Sequence, residues 1–162
     1  MNSYSGYVHL PSNTTQDIQG SAAFNISTFF WYFEAKNDPL NAPVAIYLAG
    51  GPGVSSSFAA LGENGPCYAN RDSNSTRLNP WSFNNYVNML YIDQPNQVGF
   101  SYDTIINGTY DVIKGNVYPT TFPQNETFIS GNFPSQNPAA TSNTSALAAR
   151  ALWHFAQVWF TE

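Results

Sequence analysis

A glycine-rich turn directly after a short apolar run is the part of this sequence best suited to chemistry. Residues 44–57 read VAIYLAGGPGVSSS, so a β-branched run breaks into Gly-Gly-Pro-Gly and then three serines. Glycines let the main chain approach a ligand where a Cβ would block it, and proline fixes the next turn without an N–H of its own. Peptide N–H groups exposed at such a turn can bind an oxyanion, and Gly51 is the candidate donor. An ordinary Gly-Pro turn between two elements is the alternative.

A second apolar run also ends in a turn-rich loop. Residues 87–92 predict a strand, and the sequence Asp-Gln-Pro follows it directly. In a mostly parallel sheet the ligand crevice lies beyond the carboxyl ends of the strands. We therefore expect this loop and the glycine-rich loop to border one site.

Four separated motifs resemble the N-terminal part of the serine carboxypeptidases, an α/β-hydrolase family. In chain order they are YLAGGPGVSSS, GENGP, NPWSFNNYVNMLYIDQP and VGFSY, and the match covers residues 4–102. The resemblance implies an α/β fold: the N-terminal part of an α/β-hydrolase, which has a mixed, mostly parallel sheet with flanking helices. It also implies that residues 1–162 form one portion of a single domain. It also implies a serine-type carboxypeptidase that hydrolyses the C-terminal peptide bond of a peptide substrate with a free C-terminus, using no cofactor and no metal.

The catalytic triad of that family is missing from this sequence. The chemistry needs a nucleophilic serine in a G-x-S-x-G turn, followed by an aspartate and a histidine, and no G-x-S-x-G occurs here. The serines at 55–57 are interpreted as loop and helix-start hydroxyls, and His9 and His154 as structural. Asp93 is interpreted as a structural residue that holds its loop, because the family's triad acid comes much later. The chain is thus expected to be an N-terminal fragment that is inactive alone.

The resemblance also assigns substrate-binding residues. The family pattern resembles W-x-N-G-G-P-G, whose Asn side chain and first glycine N–H hold the substrate's terminal carboxylate; here Tyr47 and Ala49 stand in the Trp and Asn positions and Gly50 matches the first glycine. Glu63 matches a family glutamate in the same network, where a proton shared between carboxyl groups implies acidic working conditions. A solvated loop charge is the alternative for Glu63. Since Ala49 lacks the amide donor, an acyltransferase or a non-catalytic glycoprotein on the same scaffold stays open as the function.

Six N-x-S/T sequons favour a secretory route, with the full-length protein secreted or vacuolar and carrying N-glycans. Their asparagines are Asn13, Asn25, Asn74, Asn107, Asn125 and Asn143. The single cysteine, Cys67, predicts either a disulfide partner outside this sequence or a buried free thiol. A net charge of −5 with only five Lys and Arg argues against nucleic acid as a partner, and no apolar run is long enough to span a membrane.

The elements that must position these residues follow from the hydrophobic pattern. Residues 4–10 predict a first strand, 22–35 its antiparallel partner, and 44–49 a strand inside the sheet. The aromatic run at 29–33 is predicted to be core on both faces of the sheet, although a binding platform is the alternative. Apolar residues at three- and four-residue spacing predict an amphipathic helix over 146–161.

Residues 104–143 show no sustained period and are rich in Asn, Thr, Pro and Gly. They are predicted to be a loop-rich insertion, either a lid over the crevice or a solvated surface excursion. With 16% aromatic and only 9% charged residues, the chain is also expected to expose apolar surface.

Overall fold

The computed structural model describes residues 1–161 and shows a mixed α/β arrangement. In chain order the strands are β1 (Ser3–Leu10), β2 (Ile26–Phe33), β3 (Val44–Tyr47), β4 (Cys67–Ala69), β5 (Thr76–Leu78), β6 (Asn88–Ile92), β7 (Ile105–Asp111), β8 (Asn116–Tyr118) and β9 (Phe128–Pro134). The α-helices are α1 (Ser56–Gly62) and α2 (Ser145–Trp159), and a 3-10 helix covers Phe83–Asn85.

A four-stranded sheet in the order β1-β2-β6-β3 forms the framework. β1 and β2 are antiparallel along their whole length, β2 and β6 are antiparallel, and β3 and β6 are parallel. The sheet is therefore mixed, as predicted, but the expectation that it is mostly parallel is wrong for the described residues. Both antiparallel pairs involve β2, whose direction is opposite to that of its two neighbours, β1 and β6.

Both faces of this sheet are covered by packed side chains. Successive side chains of the buried strand β6 point to opposite sides of the sheet, so they belong to two different core clusters. On one face Leu90 and Ile92 join a core cluster that includes Phe155 of α2. On the other face Met89 and Tyr91 pack with Ala60 of α1. The aromatic run of β2 contributes to both clusters, as predicted, since alternate residues of the run pack on opposite sides.

β3 lies at the edge of the described sheet, which differs from the prediction that it lies inside. Val44 and Ile46 are each 41% exposed, and Leu48 is 37% exposed. No strand among residues 1–161 pairs with the outer side of β3. An unpaired edge strand with apolar side chains is a surface that favours pairing with another strand.

Residues 104–143 contain a separate three-stranded antiparallel sheet in the order β8-β7-β9, where the sequence predicted loops. These strands are not evident from the sequence because polar side chains occupy interior positions: Thr109 is fully buried and Asp111 is 4% exposed. Hydrogen bonds satisfy them, since Phe122 N–H donates to Thr109 Oγ1 at 2.9 Å and Ile113 N–H donates to Asp111 Oδ1 at 3.0 Å. Alternation of apolar and polar residues therefore gives no signal here.

Thr144 begins α2, close to the predicted start, by accepting a hydrogen bond from Leu147 N–H at 3.2 Å. We expect Thr144→Ala to lower the free energy of unfolding by about 1 kcal/mol, since an N-cap hydroxyl satisfies an N–H that the helix leaves unpaired. Urea denaturation followed by circular dichroism measures the shift. Ala149→Ser, on the exposed part of the same helix, is a control that should change the midpoint by less.

Within residues 1–161, no helix combines the length and the hydropathy that a membrane-spanning segment needs.

Candidate active-site loop

The GGPG loop, residues 50–53, connects β3 to α1 and lies on the surface. Gly51 has φ +147° and Gly53 has φ +106°, conformations that side-chain-bearing residues rarely adopt. A Cβ on Gly51 would lie 3.2 Å from the backbone nitrogen of Gly53. Glycine is therefore required at residue 51 both by the backbone conformation and by the closeness of the turn.

Two contacts fix the ends of the GGPG loop. Before the loop, Ala49 N–H donates a hydrogen bond to Ser56 Oγ at 3.0 Å. After the loop, Ser55 caps α1 by accepting from Phe58 N–H at 3.3 Å. Ser56 and Ser57 are buried and Ser55 is half-buried. Ser57 Oγ donates to Asp93 Oδ2 at 3.0 Å, so the three hydroxyls make loop and helix-start contacts, in agreement with the sequence interpretation.

The loop that follows β6 meets the loop that follows β3, as expected from the sheet. Asp93, the first residue after β6, accepts a hydrogen bond from Ser55 Oγ at 2.9 Å. The two loops also border one crevice of about 590 Å³. Its walls are Leu48 and Pro52 on the first side, Gln94 and Pro95 on the second, and the N-terminal turns of α2.

Tyr47 and Glu63, two of the predicted substrate-binding residues, are in contact. Tyr47 Oη donates a hydrogen bond to Glu63 Oε2 at 3.1 Å, and Glu63 is exposed just after α1. Burial, and then the hydrogen bond to Glu63, raise the pKa of Tyr47, so its phenol keeps its proton at acidic and neutral pH. The neighbouring Asn64 accepts from Tyr91 Oη at 2.9 Å, a contact that the sequence alone did not indicate. The result is a small polar cluster beside β3.

The two histidines make their contacts with residues outside the GGPG loop. His9 Nδ1 is 3.0 Å from Ser27 Oγ in the β1–β2 pair, and the ring of His154 on α2 packs against Trp153. In the described residues neither histidine has a hydrogen bond to the serines after the loop. Within residues 1–161 the structure thus places no serine–histidine pair at the candidate site.

The six sequon asparagines are all exposed. Asn25 precedes β2, Asn74 lies in the turn between β4 and β5, and Asn107 is on β7. Asn125 closes a turn by accepting from Phe128 N–H at 2.8 Å, so its side chain already has a partner. Cys67, at the start of β4, is a half-buried free thiol in the structure.

Comparison with known proteins gives one consistent family. The family model described as serine carboxypeptidase matches residues 1–160. Carboxypeptidase S1 homolog A of Arthroderma otae is 54% identical over 99% of this chain, and the homolog A of Trichophyton rubrum is 52% identical over the same share. The chain spans about a quarter of the length of these relatives, 25% in both cases. A solved structure of a prohormone-processing carboxypeptidase from Saccharomyces cerevisiae aligns with 60% of this chain and 20% of its own, at 35% identity and a TM-score of 0.48.

Proposed function

This chain belongs to the serine carboxypeptidase family, and we propose that the whole protein releases C-terminal residues from peptides through an acyl-enzyme on serine. The observation that carries the proposal is the GGPG loop, which sits at the carboxyl end of β3 with Gly51 in a conformation reserved for glycine. A peptide N–H at such a place can donate to the oxygen that becomes negatively charged when the serine attacks the scissile carbonyl. In this proposal Gly51 supplies that N–H.

We further propose that residues 1–162 are the N-terminal portion of an α/β-hydrolase domain, with 104–143 inserted between the strands and α2. The exposed apolar edge of β3 supports the proposal, because a further parallel strand would bury Val44, Ile46 and Leu48. The crevice between the GGPG loop and α2 supports it as well, since a strand paired to β3 would end beside Leu48. A nucleophile turn after that strand would then face the N–H of Gly51.

A separate part of the proposal concerns the residues around the GGPG loop and the substrate's free carboxylate. We propose that Gly50 donates its N–H to the carboxylate and that the Glu63 carboxyl group shares a proton with it. Tyr47 supports this role because its phenol donates to Glu63 Oε2 at 3.1 Å and so orients the glutamate. Ala49 provides no side-chain donor, so Tyr47 and Glu63 carry more of this interaction than the resemblance implied.

We expect Tyr47→Phe to raise KM for a blocked dipeptide by about 3- to 10-fold with little change in kcat. The loss corresponds to about 1 kcal/mol, the usual net value of one hydrogen bond, because the partner Glu63 is exposed. Steady-state kinetics at acidic pH measures the two constants separately. An increase in KM of the same size for the amidated dipeptide would contradict a role in carboxylate recognition.

Passage through the secretory pathway, to the outside or to a vacuole, is a further proposal, with N-glycans at Asn13, Asn25, Asn74, Asn107, Asn125 and Asn143. The exposure of all six side chains supports it, since glycans need surface positions. Endoglycosidase treatment of the protein from its natural source should increase its electrophoretic mobility. An unchanged mobility together with unmodified asparagines in the peptide masses would refute the proposal.

A fluorophosphonate, which forms a bond only with an activated serine, tests the proposed mechanism. We expect the whole protein to take up one label, and peptide mapping to place it on a serine in a G-x-S-x-G turn outside residues 1–162. The matched control is the heat-denatured protein, which should take up no label. Labelling of the serine at 55, 56 or 57 would overturn the assignment of the GGPG loop as an oxyanion donor, because those hydroxyls would then be nucleophiles.

A further inference from the structure

Asp93 is a fully buried carboxylate whose two oxygens both accept hydrogen bonds. Its Oδ1 accepts from Ser55 Oγ and from Ser57 N–H, each at 2.9 Å. Its Oδ2 accepts from Ser57 Oγ at 3.0 Å and from Phe100 N–H at 3.1 Å. No Lys, Arg or His forms an ion pair with it within residues 1–161. The charge is therefore held by hydrogen-bond donors, and most of these belong to the segment that follows the GGPG loop.

The position of Asp93 is fixed by its own backbone. Asp93 N–H donates to the carbonyl of Phe29 in β2 at 3.0 Å, and its carbonyl accepts from Ser101 Oγ at 2.5 Å. Ser101 in turn accepts from Phe29 N–H at 2.8 Å. Gly99, with φ +56°, packs so close that a Cβ there would overlap the carboxyl group of Asp93. The carboxylate is thus a rigid point attached to the central strands.

The GGPG loop has few other attachments. Its residues are exposed, and β3 before it lies at the sheet edge. The contact of Ala49 N–H with Ser56 Oγ joins the loop to α1, so the loop moves with the start of that helix. Asp93 ties Ser55 and Ser57 at the helix start to the end of β6, while the packing of Ala60 on Met89 and Tyr91 holds the helix further along. Displacing Ser55 and Ser57 would therefore displace Gly51, which precedes them by only a few residues.

We propose that Asp93 is a positioning residue, which sets the distance from the Gly51 N–H to the reacting carbonyl oxygen by holding Ser55 and Ser57. The proposal rests on the oxyanion role proposed above for Gly51. An oxyanion donor acts only when it is aimed at the position the charged oxygen will occupy, so a small shift of the loop lowers kcat. Ground-state binding of the peptide depends less on this distance, and KM is expected to stay nearly constant.

Asp93→Asn in the whole protein tests the inference, because the amide keeps the shape of the side chain but presents N–H₂ to donors. We expect kcat to fall by about 10²-fold and KM to change by less than about threefold, the loss typical of a displacement of about 1 Å. Affinity for a peptide aldehyde, which forms a charged tetrahedral adduct, should fall in parallel with kcat. Ser57→Ala removes the hydroxyl contact and keeps the N–H contact, so it should give a smaller loss of kcat in a variant less prone to misfolding.

Asp103→Asn is the matched control. Asp103 is also a buried aspartate, 8% exposed, but it holds Ser135 at the end of β9 and has no contact with the GGPG loop. An inactive wild-type protein would refute the proposed function itself. With an active wild type, the positioning role is overturned if both Asp93→Asn and Ser57→Ala keep wild-type kcat, if aldehyde affinity is unchanged while kcat falls, or if Asp103→Asn lowers kcat equally.

Discussion

Gly51→Ala is expected to lower kcat of the whole protein by about two orders of magnitude while the protein remains folded. Alanine is strained at φ +147°, and its Cβ would lie 3.2 Å from Gly53 N and 3.4 Å from Val54 Cγ2. Relief of these contacts turns the peptide plane and moves the N–H away from the developing oxyanion. Loss of one such donor typically costs 10²- to 10³-fold in kcat, roughly 2.7 to 4 kcal/mol.

Gly115→Ala provides the control for backbone strain. Gly115 also has a positive φ, +68°, and a Cβ there would meet nothing within 4 Å. It lies in the turn between β7 and β8, so we expect a loss of about 1 kcal/mol in stability and an unchanged kcat. Steady-state kinetics of both variants, with thermal unfolding measured on the same samples, separates the two effects. Wild-type kcat in Gly51→Ala would remove Gly51 from the mechanism.

The 162-residue chain by itself is expected to show no peptidase activity. It contains no G-x-S-x-G turn, and loss of a triad nucleophile or base lowers kcat by on the order of 10⁶-fold. The purified chain, assayed with a blocked dipeptide at acidic pH, should give the rate of buffer alone. Supplying the remainder of the whole protein as a second polypeptide should restore turnover, because within residues 1–161 no strand pairs with the outer edge of β3, beside the crevice.

Two controls are needed to interpret the assay of the isolated 162-residue chain. Circular dichroism must first show that the isolated chain is folded, since large apolar side chains such as Trp81, at 84% exposed, favour association. Any turnover that is observed must then be tested in Gly51→Ala. Turnover by the folded chain that disappears in that variant would mean that these residues hold a complete catalytic site.

The parts of the fold that the sequence predicts are those where packing follows a simple period. The helix predicted over 146–161 is observed as Ser145–Trp159, because Leu147 and Phe155 recur at helical spacing and face the core. The strand predicted over 4–10 is observed as Ser3–Leu10, paired along its length with β2. In these elements local pattern and tertiary burial agree, which is the condition for a reliable prediction.

Prediction fails where polar groups are buried. β7 is not evident from the sequence because Thr109 and Asp111 fill interior positions through hydrogen bonds rather than apolar contacts. The same holds at the candidate site: the sequence indicates that Asp93 holds its own loop, but not that it binds Ser55 and Ser57 from the other loop. Such contacts join residues far apart in the chain, and a single sequence contains no periodic signal for them.

Release of the last residue from a blocked dipeptide by the whole protein is the most direct test of the account. The dipeptide with a free C-terminal carboxylate is compared with the same dipeptide as its C-terminal amide, in acidic buffer. Proposed carboxylate recognition through Gly50 and Glu63 predicts rapid release from the free acid, slow release from the amide, and inhibition by the fluorophosphonate. Equal rates on both substrates, acyl transfer without release, or no reaction at all would contradict a serine carboxypeptidase.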